Sequence, residues 1–302
     1  MTEAAILEVL SESGPLTGAE LQERTDIEPL ALWQLCVNDP VIELVRVGRR
    51  YLRLDRVVDG YARLSPSIRR EFLTYTLFDR AGRRDRLEAR ALDLGREILR
   101  ISEAKRRLAT QTVAAIVENL AVREEVSAKV CFFLGGDIAY NMAHRVPRPE
   151  HSTGKLVQGS DLDMVVVTDD SFSPEALSIL DDAIYQRKYL LLINPSYREE
   201  LDYLIKDMTA VCRQMAFDTF EHMVACKIFD EAEYLYGSSE IFQAVKNLLQ
   251  EHSIPPALQQ LEEQAAAERA EAERILRTVD GEQSGGRYLS LFYPSDESDE
   301  IY

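Results

Sequence analysis

Two aspartates at the start of an apolar run, Asp161 and Asp163, constrain this chain more than any other feature. The run reads Gly159-Ser160-Asp161-Leu162-Asp163-Met164-Val165-Val166-Val167. Successive side chains of a β-strand point to opposite faces, so both carboxylates are expected on one face and Leu162, Met164 and Val166 on the other. Adjacent carboxylates repel each other unless a cation lies between them. Such oxygen ligands suit Mg²⁺ bound together with phosphates, with Mn²⁺ as the alternative ion.

A second apolar run lies upstream and ends in two glycines. Cys131–Leu134 is expected to form a strand, and Gly135-Gly136 then lead into a short helix over Ile138–Ala143. Glycines in a turn of this kind let backbone N–H groups approach an anion, because no Cβ lies in the way. The turn is therefore a candidate phosphate site.

Two further acids lie in a later strand-like segment. Pro174–Arg187 has the pattern of a helix, and Glu199–Ile205 that of the strand that follows it. Asp202 lies between Leu201 and Tyr203 in this run, and Glu200 lies two residues earlier on the same face.

The order of these elements resembles the DNA polymerase beta-like nucleotidyltransferase superfamily over about residues 128–250. The resemblance implies an α+β fold whose core is a mixed sheet with helices. It implies a nucleoside triphosphate (NTP) held at Gly135, Gly136 and Ser160, and metal ions held by the catalytic acids Asp161, Asp163 and Asp202. In this family pattern the third acid lies on a later strand, where Asp202 is the candidate and Glu200 the reserve candidate.

The same resemblance implies transfer of a nucleoside monophosphate to a hydroxyl acceptor, for which we expect RNA or protein. Relatives of this kind include toxins and phage-defence enzymes. Lys227 lies in a downstream helical stretch and is a further candidate for the triphosphate, with a surface lysine as the alternative.

Two departures from the family pattern concern the surroundings of the glycine turn. The insertion 144–158 carries Arg145, Arg148, His151 and Lys155. These side chains either meet phosphates or an acceptor, or belong to a solvent-exposed loop. Asp137 follows the glycines directly, which is unfavourable beside a triphosphate unless its carboxylate turns away or joins the metal ligands.

The N-terminal residues 1–57 predict three short helices and a hairpin. Thr17 and Glu20 have the spacing of a capping box at the start of the second helix. The hairpin would join the strands around Val45 and Leu52. This arrangement resembles a winged helix-turn-helix. Its role is either DNA binding, with the arginines of the hairpin as contacts, or protein–protein contact or internal packing.

Residues 58–127 predict a connector that is helical throughout, and residues 251–302 a charged helix followed by an acidic tail. The connector is rich in arginine. Its arginines either form a solvated helix face or contact nucleic acid or an acidic partner. The tail is either a docking motif or a frayed end.

The composition limits the compartment and the partners. The net charge of −17 disfavours nucleic-acid binding through the overall field, and the four cysteines form no CxxC pair. No signal peptide or membrane span is evident, so we expect a cytoplasmic protein without membrane partners. The alternative function is a DNA-binding winged-helix regulator with a nucleotide-sensing or inactive transferase domain.

Overall fold

A computed structural model describes residues 3–150, 153–279 and 289–292. The fold is mixed α+β, as expected, and its largest sheet is mixed. The described residues form two compact units, one of 3–97, 261–279 and 289–292 and the other of 98–150 and 153–260. None of the described helices combines the length and the apolar composition needed to cross a membrane.

The helices and strands are numbered here in chain order. The helices are α1 (Glu3–Ser13), α2 (Gly18–Thr25), α3 (Pro29–Asn38), α4 (Ile68–Arg70), α5 (Arg84–Glu118), α6 (Arg123–Lys129), α7 (Gly136–Ala139), α8 (Pro174–Ile193), α9 (Met208–Gln214), α10 (Phe220–Glu231), α11 (Ser239–Glu251), α12 (Ile254–Leu276) and α13 (Leu289–Phe292). A π-helical turn covers Glu71–Tyr75. The strands are β1 (Leu16–Thr17), β2 (Ile42–Arg46), β3 (Tyr51–Leu54), β4 (Ala62–Ser65), β5 (Thr76–Arg80), β6 (Val130–Leu134), β7 (Pro147–Pro149), β8 (Leu156–Gln158), β9 (Leu162–Thr168), β10 (Leu201–Asp207) and β11 (Glu233–Gly237).

The three predicted N-terminal helices are confirmed, together with the capping box at the start of α2. The Thr17 hydroxyl accepts a hydrogen bond from the Glu20 backbone N–H at 3.2 Å, and Glu20 accepts one from the Thr17 N–H at 2.7 Å. These two bonds satisfy two amides that a helix start leaves without partners. Local sequence is sufficient here because donor and acceptor lie three residues apart.

The predicted hairpin is wrong. Strand β2 pairs with β5, with Leu44 opposite Phe78, and β3 pairs with β4 instead of with β2. The prediction that residues 58–127 are helical throughout is wrong for the same reason, because β4 and β5 lie within that range. Strand β5 pairs with β1 and β2, which are distant in the chain, and its apolar side chains are buried. The spacing of residues within one segment does not reveal such partners.

Unit one joins its N-terminal elements to the second half of α12 through buried charges. Glu71 accepts hydrogen bonds from Arg50 at 2.7 and 2.6 Å and from Arg269 at 3.1 Å. Arg269 also donates to Glu273 at 2.8 Å. Burial tends to raise the pKa of Glu71, but the hydrogen bond from Arg50 and the charge of Arg269 lower it below its ordinary value.

The C-terminal residues contribute to the core of the same unit. Helix α12 buries Ala272 and Leu276, and the short helix α13 buries Phe292, whose ring centroid lies 6.0 Å from that of Trp33. This part of the predicted tail is therefore docked within its own chain. The acidic residues that follow, 293–302, lie outside the described residues.

Unit two is built around a four-stranded sheet with the order β10-β9-β6-β11. Strands β9 and β10 are parallel, whereas β6 is antiparallel to both β9 and β11. Helix α8 connects β9 to β10 and buries Ala176, Leu180 and Ile184 in the core of the unit. Because β9 and β10 are parallel neighbours, the residues that precede them lie at the same edge of the sheet.

We expect Glu71→Gln to destabilise unit one by ~3 kcal/mol, because it removes the more buried of the two carboxylates that pair with Arg50 and Arg269 and leaves only Glu273. Trp33 is the only tryptophan and is buried in this unit, so its fluorescence during urea unfolding measures the effect. The folded pKa of Glu71 is lowered, so its contribution is complete above the unfolded value of ~4.3. The contribution is lost as pH falls through the lower folded value, and the difference between the two proteins should shrink there.

The matched control is Glu88→Gln, which removes a carboxylate from the exposed pair that Glu88 forms with Arg84 at 2.6 Å. An exposed pair contributes at most ~1 kcal/mol, so this variant should unfold close to the wild type. Equal midpoints for the two variants would show that the charges around Glu71 do not hold α12 in place.

Candidate functional site

The predicted acids of β9 and β10 lie opposite each other. Asp163 is the register partner of Asp202, and the Leu162 N–H donates to the Glu200 carbonyl at 2.9 Å. Carboxylate oxygens of Asp161, Glu200 and Asp202 all lie within 4.8 Å of one another. We call these three residues the acidic cluster. It joins two of the predicted catalytic and metal-binding residues, Asp161 and Asp202, with the reserve candidate Glu200.

Two basic side chains neutralise part of the acidic cluster. Arg148 Nη2 contacts Asp161 Oδ1 and lies 2.7 Å from Glu200 Oε2. Lys188 Nζ donates to Asp202 Oδ1 at 2.6 Å. Burial raises the pKa of Glu200, the contact with Arg148 lowers it, and repulsion from Asp202 raises it again, with a net upward shift. Nearby positive charge therefore stabilises the acidic cluster.

A short ribbon formed by the insertion 144–158 places Arg148. Strands β7 and β8 pair with Arg148 opposite Val157, and Arg148 Nε donates to the Gly159 carbonyl at 3.0 Å. Neither interpretation of the insertion describes Arg148. This residue lies in a paired strand, and its guanidinium contacts the carboxylates of Asp161 and Glu200. His151, another residue of the insertion, lies outside the described residues.

A buried ion pair anchors the ribbon to the start of β10. Lys105 of α5 contacts the Glu199 carboxylate and donates to the Gln158 carbonyl at 2.8 Å. Burial lowers the pKa of Lys105 and raises that of Glu199, and each charge partly offsets the shift of the other. The pair thus connects the last residue of β8 to the residue next to Glu200.

The glycine turn lies against Asp163. Gly136 has a φ of +66°, and a Cβ at this position would lie 2.0 Å from Asp163 Oδ2. The Gly135 N–H donates to the Asp163 carbonyl at 2.9 Å. Only a residue without a side chain allows this approach, so the predicted glycines and the second predicted aspartate form one compact arrangement.

Lys227 lies beside this turn and not on an exposed surface. Its Nζ is 2.8 Å from Glu231 Oε2, and both side chains are buried. Glu231 in turn accepts a hydrogen bond from the Gly136 N–H at 3.1 Å through its Oε1. The Gly136 amide, a predicted phosphate contact, is therefore hydrogen-bonded to the Glu231 carboxylate, and the buried Lys227 lies next to that carboxylate.

Ser160 and Asp137 are bonded to each other. The Ser160 hydroxyl donates to Asp137 Oδ2 at 2.6 Å and accepts from the His144 N–H at 3.1 Å. The Asp137 carboxylate accepts this hydrogen bond and is not a member of the acidic cluster. Of the two possibilities for Asp137, it therefore does not join the predicted metal ligands. Ser160, predicted to bind nucleotide, here connects the segment after the glycine turn to the entrance of β9.

Sequence reasoning missed three members of this site: Arg148 as a partner of the acids, Lys188 and Glu231. Lys188 could have been identified from the sequence, because it lies one helical turn after Ile184 of the buried face of α8. No local pattern identifies Glu231, because its partner Gly136 is 95 residues away in the chain.

We expect Gly136→Ala to destabilise unit two more than Gly154→Ala. Both glycines have a φ of +66°, but a Cβ at Gly154 meets nothing within 4 Å. The shared backbone strain costs ~1–2 kcal/mol, and the clash with Asp163 adds a further ~1–3 kcal/mol for Gly136→Ala. Urea unfolding followed by circular dichroism measures both. Equal losses would mean that Asp163 does not pack against the turn.

Comparison of the chain with protein-family models, with curated proteins and with solved structures gives no match.

Proposed function

We propose that this chain is a Mg²⁺-dependent nucleotidyltransferase that moves a nucleoside monophosphate from an NTP to a hydroxyl acceptor. One observation carries the proposal: acids of two parallel neighbouring strands converge beside a glycine turn that packs against one of them. Paired carboxylates next to backbone amides are the combination that phosphoryl-transfer chemistry requires, since it needs both metal ligands and a place for phosphates.

The residues present fit a divalent metal ion. The acidic cluster offers hard oxygen ligands from Asp161, Glu200 and Asp202 within 4.8 Å of one another, and Asp163 lies next to Asp202 in register. Carboxylates at this separation favour a cation, as the contacts of Arg148 and Lys188 already indicate. When bound, Mg²⁺ would offset negative charge on the attacking and leaving oxygens.

In the proposed reaction, the acceptor hydroxyl lies beside Asp202, whose carboxylate takes its proton. The hydroxyl oxygen forms a bond to the α-phosphorus, the bond between that phosphorus and the bridging oxygen breaks, and pyrophosphate leaves. The glycine turn and Lys227 neutralise charge on the phosphates. Glu231 must release the Gly136 amide for this, because the amide donates to its carboxylate in the present arrangement.

Mg²⁺ binding also requires Arg148 to move. Its guanidinium contacts Asp161 and Glu200, and a metal ion held by the same oxygens competes with it for the same charge. The proposed enzyme therefore alternates between a state in which Arg148 satisfies the acids and one in which metal does.

A second candidate function is supported by the same contacts. If Arg148 and Glu231 keep their partners permanently, the domain is an inactive or nucleotide-sensing one attached to a DNA-binding N-terminal module. The two functions differ in turnover, because a sensor binds NTP without releasing pyrophosphate.

The test is a transfer assay with each α-labelled NTP, Mg²⁺ and total RNA or cell lysate as acceptor. We expect label in an acceptor with the wild type and a loss of at least ~100-fold for Asp161→Asn/Asp163→Asn. The control Glu124→Gln/Glu175→Gln removes two exposed carboxylates from helix starts and should keep its activity. NTP binding without transfer or pyrophosphate release in any condition would favour the sensor.

We expect Arg148→Ala to bind Mn²⁺, used as a probe for the metal site, roughly tenfold more tightly than the wild type, because the competing cation is removed. Isothermal titration calorimetry measures the affinity. Arg145→Ala is the matched control, since Arg145 lies in the same insertion and is exposed. Equal or weaker Mn²⁺ binding by Arg148→Ala would show that the metal does not take the place of the guanidinium.

A further inference from the structure

Arg106 of α5 connects the glycine turn to the strand that follows Glu231. Its Nη2 donates hydrogen bonds to the Ile138 carbonyl at 2.9 Å and to Asn141 Oδ1 at 3.0 Å. Its Nε donates to Glu233 Oε2 at 2.7 Å, and its Nη2 lies 3.2 Å from Glu233 Oε1. The flat guanidinium group thus pairs with one carboxylate through two nitrogens and also reaches the end of α7.

These contacts join the two segments that meet at the hydrogen bond between the glycine turn and Glu231. Ile138 belongs to α7, which begins at Gly136. Glu233 begins β11 and is the second residue after Glu231. The Gly136 N–H donates to Glu231 at 3.1 Å, so Arg106 connects the segment of the donor to the segment of the acceptor. Ile138 and Glu233 are 32 and 127 residues away from Arg106 in the chain, and no local pattern predicts the contact.

Arg106 contacts the end of α7 that is opposite to the predicted phosphate contact. The N–H groups at the start of a helix and the carbonyls at its end point in opposite directions along the axis. The Gly136 N–H lies at the start of α7, and the Ile138 carbonyl lies near its end. An effect of Arg106 on a bound phosphate is therefore transmitted by the position of the turn and not by direct contact.

The glycine turn needs a support other than Glu231 during the proposed reaction. Phosphates reach the Gly136 amide only after the Glu231 carboxylate has released it. The hydrogen bonds of Arg106 do not involve this amide, so they persist when the carboxylate leaves. Hydrogen-bond donors stabilise a transition state best when their surroundings fix their direction beforehand. Arg106 provides such a support throughout the exchange.

The preceding residue of α5 supports a different part of the site. Lys105 contacts Glu199 and donates to the Gln158 carbonyl, next to the acidic cluster. Among the described residues, Arg106 contacts no member of that cluster. Two consecutive residues of one helix therefore support the predicted metal ligands and the predicted phosphate turn separately.

We propose that Arg106 is a positioning residue of the transferase, which fixes the glycine turn so that the Gly136 amide meets the triphosphate. The inference rests on the proposed function, because it concerns the NTP of that reaction. Arg106 supports the phosphate side of the site and has no part in the metal side. Loss of its guanidinium therefore weakens the binding of phosphates, whereas the affinity for metal stays the same.

Arg106→Ala is expected to fold, because the ion pair that it removes is partly exposed. The side chains of Arg106 and Glu233 are 27% and 40% exposed, and ion pairs in such surroundings contribute little to stability. The Ile138 carbonyl keeps a second partner, since it also accepts a hydrogen bond from the Asn141 N–H at 3.1 Å. The variant therefore removes a support of the turn without leaving this carbonyl unpaired.

Isothermal titration calorimetry of the full-length chain with two probes separates the two sides of the site. The probes are inorganic triphosphate in the presence of Mg²⁺, and Mn²⁺ alone. Arg106→Ala should bind triphosphate roughly tenfold more weakly than the wild type and bind Mn²⁺ with unchanged affinity. Glu233→Gln keeps the guanidinium but removes its charged partner, so it should show a smaller loss in the same direction.

Arg107→Ala is the matched control, because it removes the same charge from the next residue of the helix. The Arg107 side chain is 65% exposed and lies 4.0 Å from Glu103, so this variant should bind both probes like the wild type. Equal triphosphate binding by Arg106→Ala and the wild type would overturn the inference. Equal losses of triphosphate and Mn²⁺ affinity would also overturn it, because they would show that the variant loosens the whole unit.

The inference and the proposed function fail separately. In the transfer assay, Arg106→Ala should raise the KM for NTP about tenfold and keep kcat within about threefold of the wild type. Transfer with an unchanged KM for NTP would overturn the role of Arg106 but not the enzyme. Triphosphate binding that depends on Arg106, without any transfer, would overturn the enzyme and retain Arg106 as a support of a nucleotide-sensing site. A wild type that binds no triphosphate would overturn both.

Discussion

The parallel pairing of β9 with β10 forces carboxylates together at one edge of the sheet, and much of the surrounding structure compensates for their repulsion. Asp163 and Asp202 are register partners, and Asp161 and Glu200 lie before them at the strand entrances. In a partly buried site, like charges this close raise the free energy of the folded state unless cations lie among them. Arg148 and Lys188 provide that charge.

The compensation recruits elements that are distant in the chain. Lys105 of α5 holds both Glu199 and the end of the ribbon that presents Arg148, so one buried ion pair fixes the position of another. At the glycine turn, Glu231 and Lys227 of α10 form a second pair against the Gly136 amide. In the proposed reaction, metal and phosphate would replace Arg148 and Glu231 as the partners of these groups.

The sequence predicted most of the residues of this site and few of their partners. The alternation around Leu162 and the glycines before Asp137 follow from strand geometry and from the absence of a Cβ, both of which are local. The capping box at Thr17 was predictable for the same reason. The hairpin between β2 and β3 was not, because β2 is paired with β5 and β3 with β4, and strand pairing depends on which distant segments bury each other.

By itself, the sequence determined which segments alternate, where the chain turns and which carboxylates share a face, since these depend on residues within a few positions of one another. Only the tertiary structure decided which cations meet those carboxylates and that Lys227 is buried beside Glu231. The physical reason is that electrostatic partners act through space, and the fold brings together charges that no spacing in the chain connects.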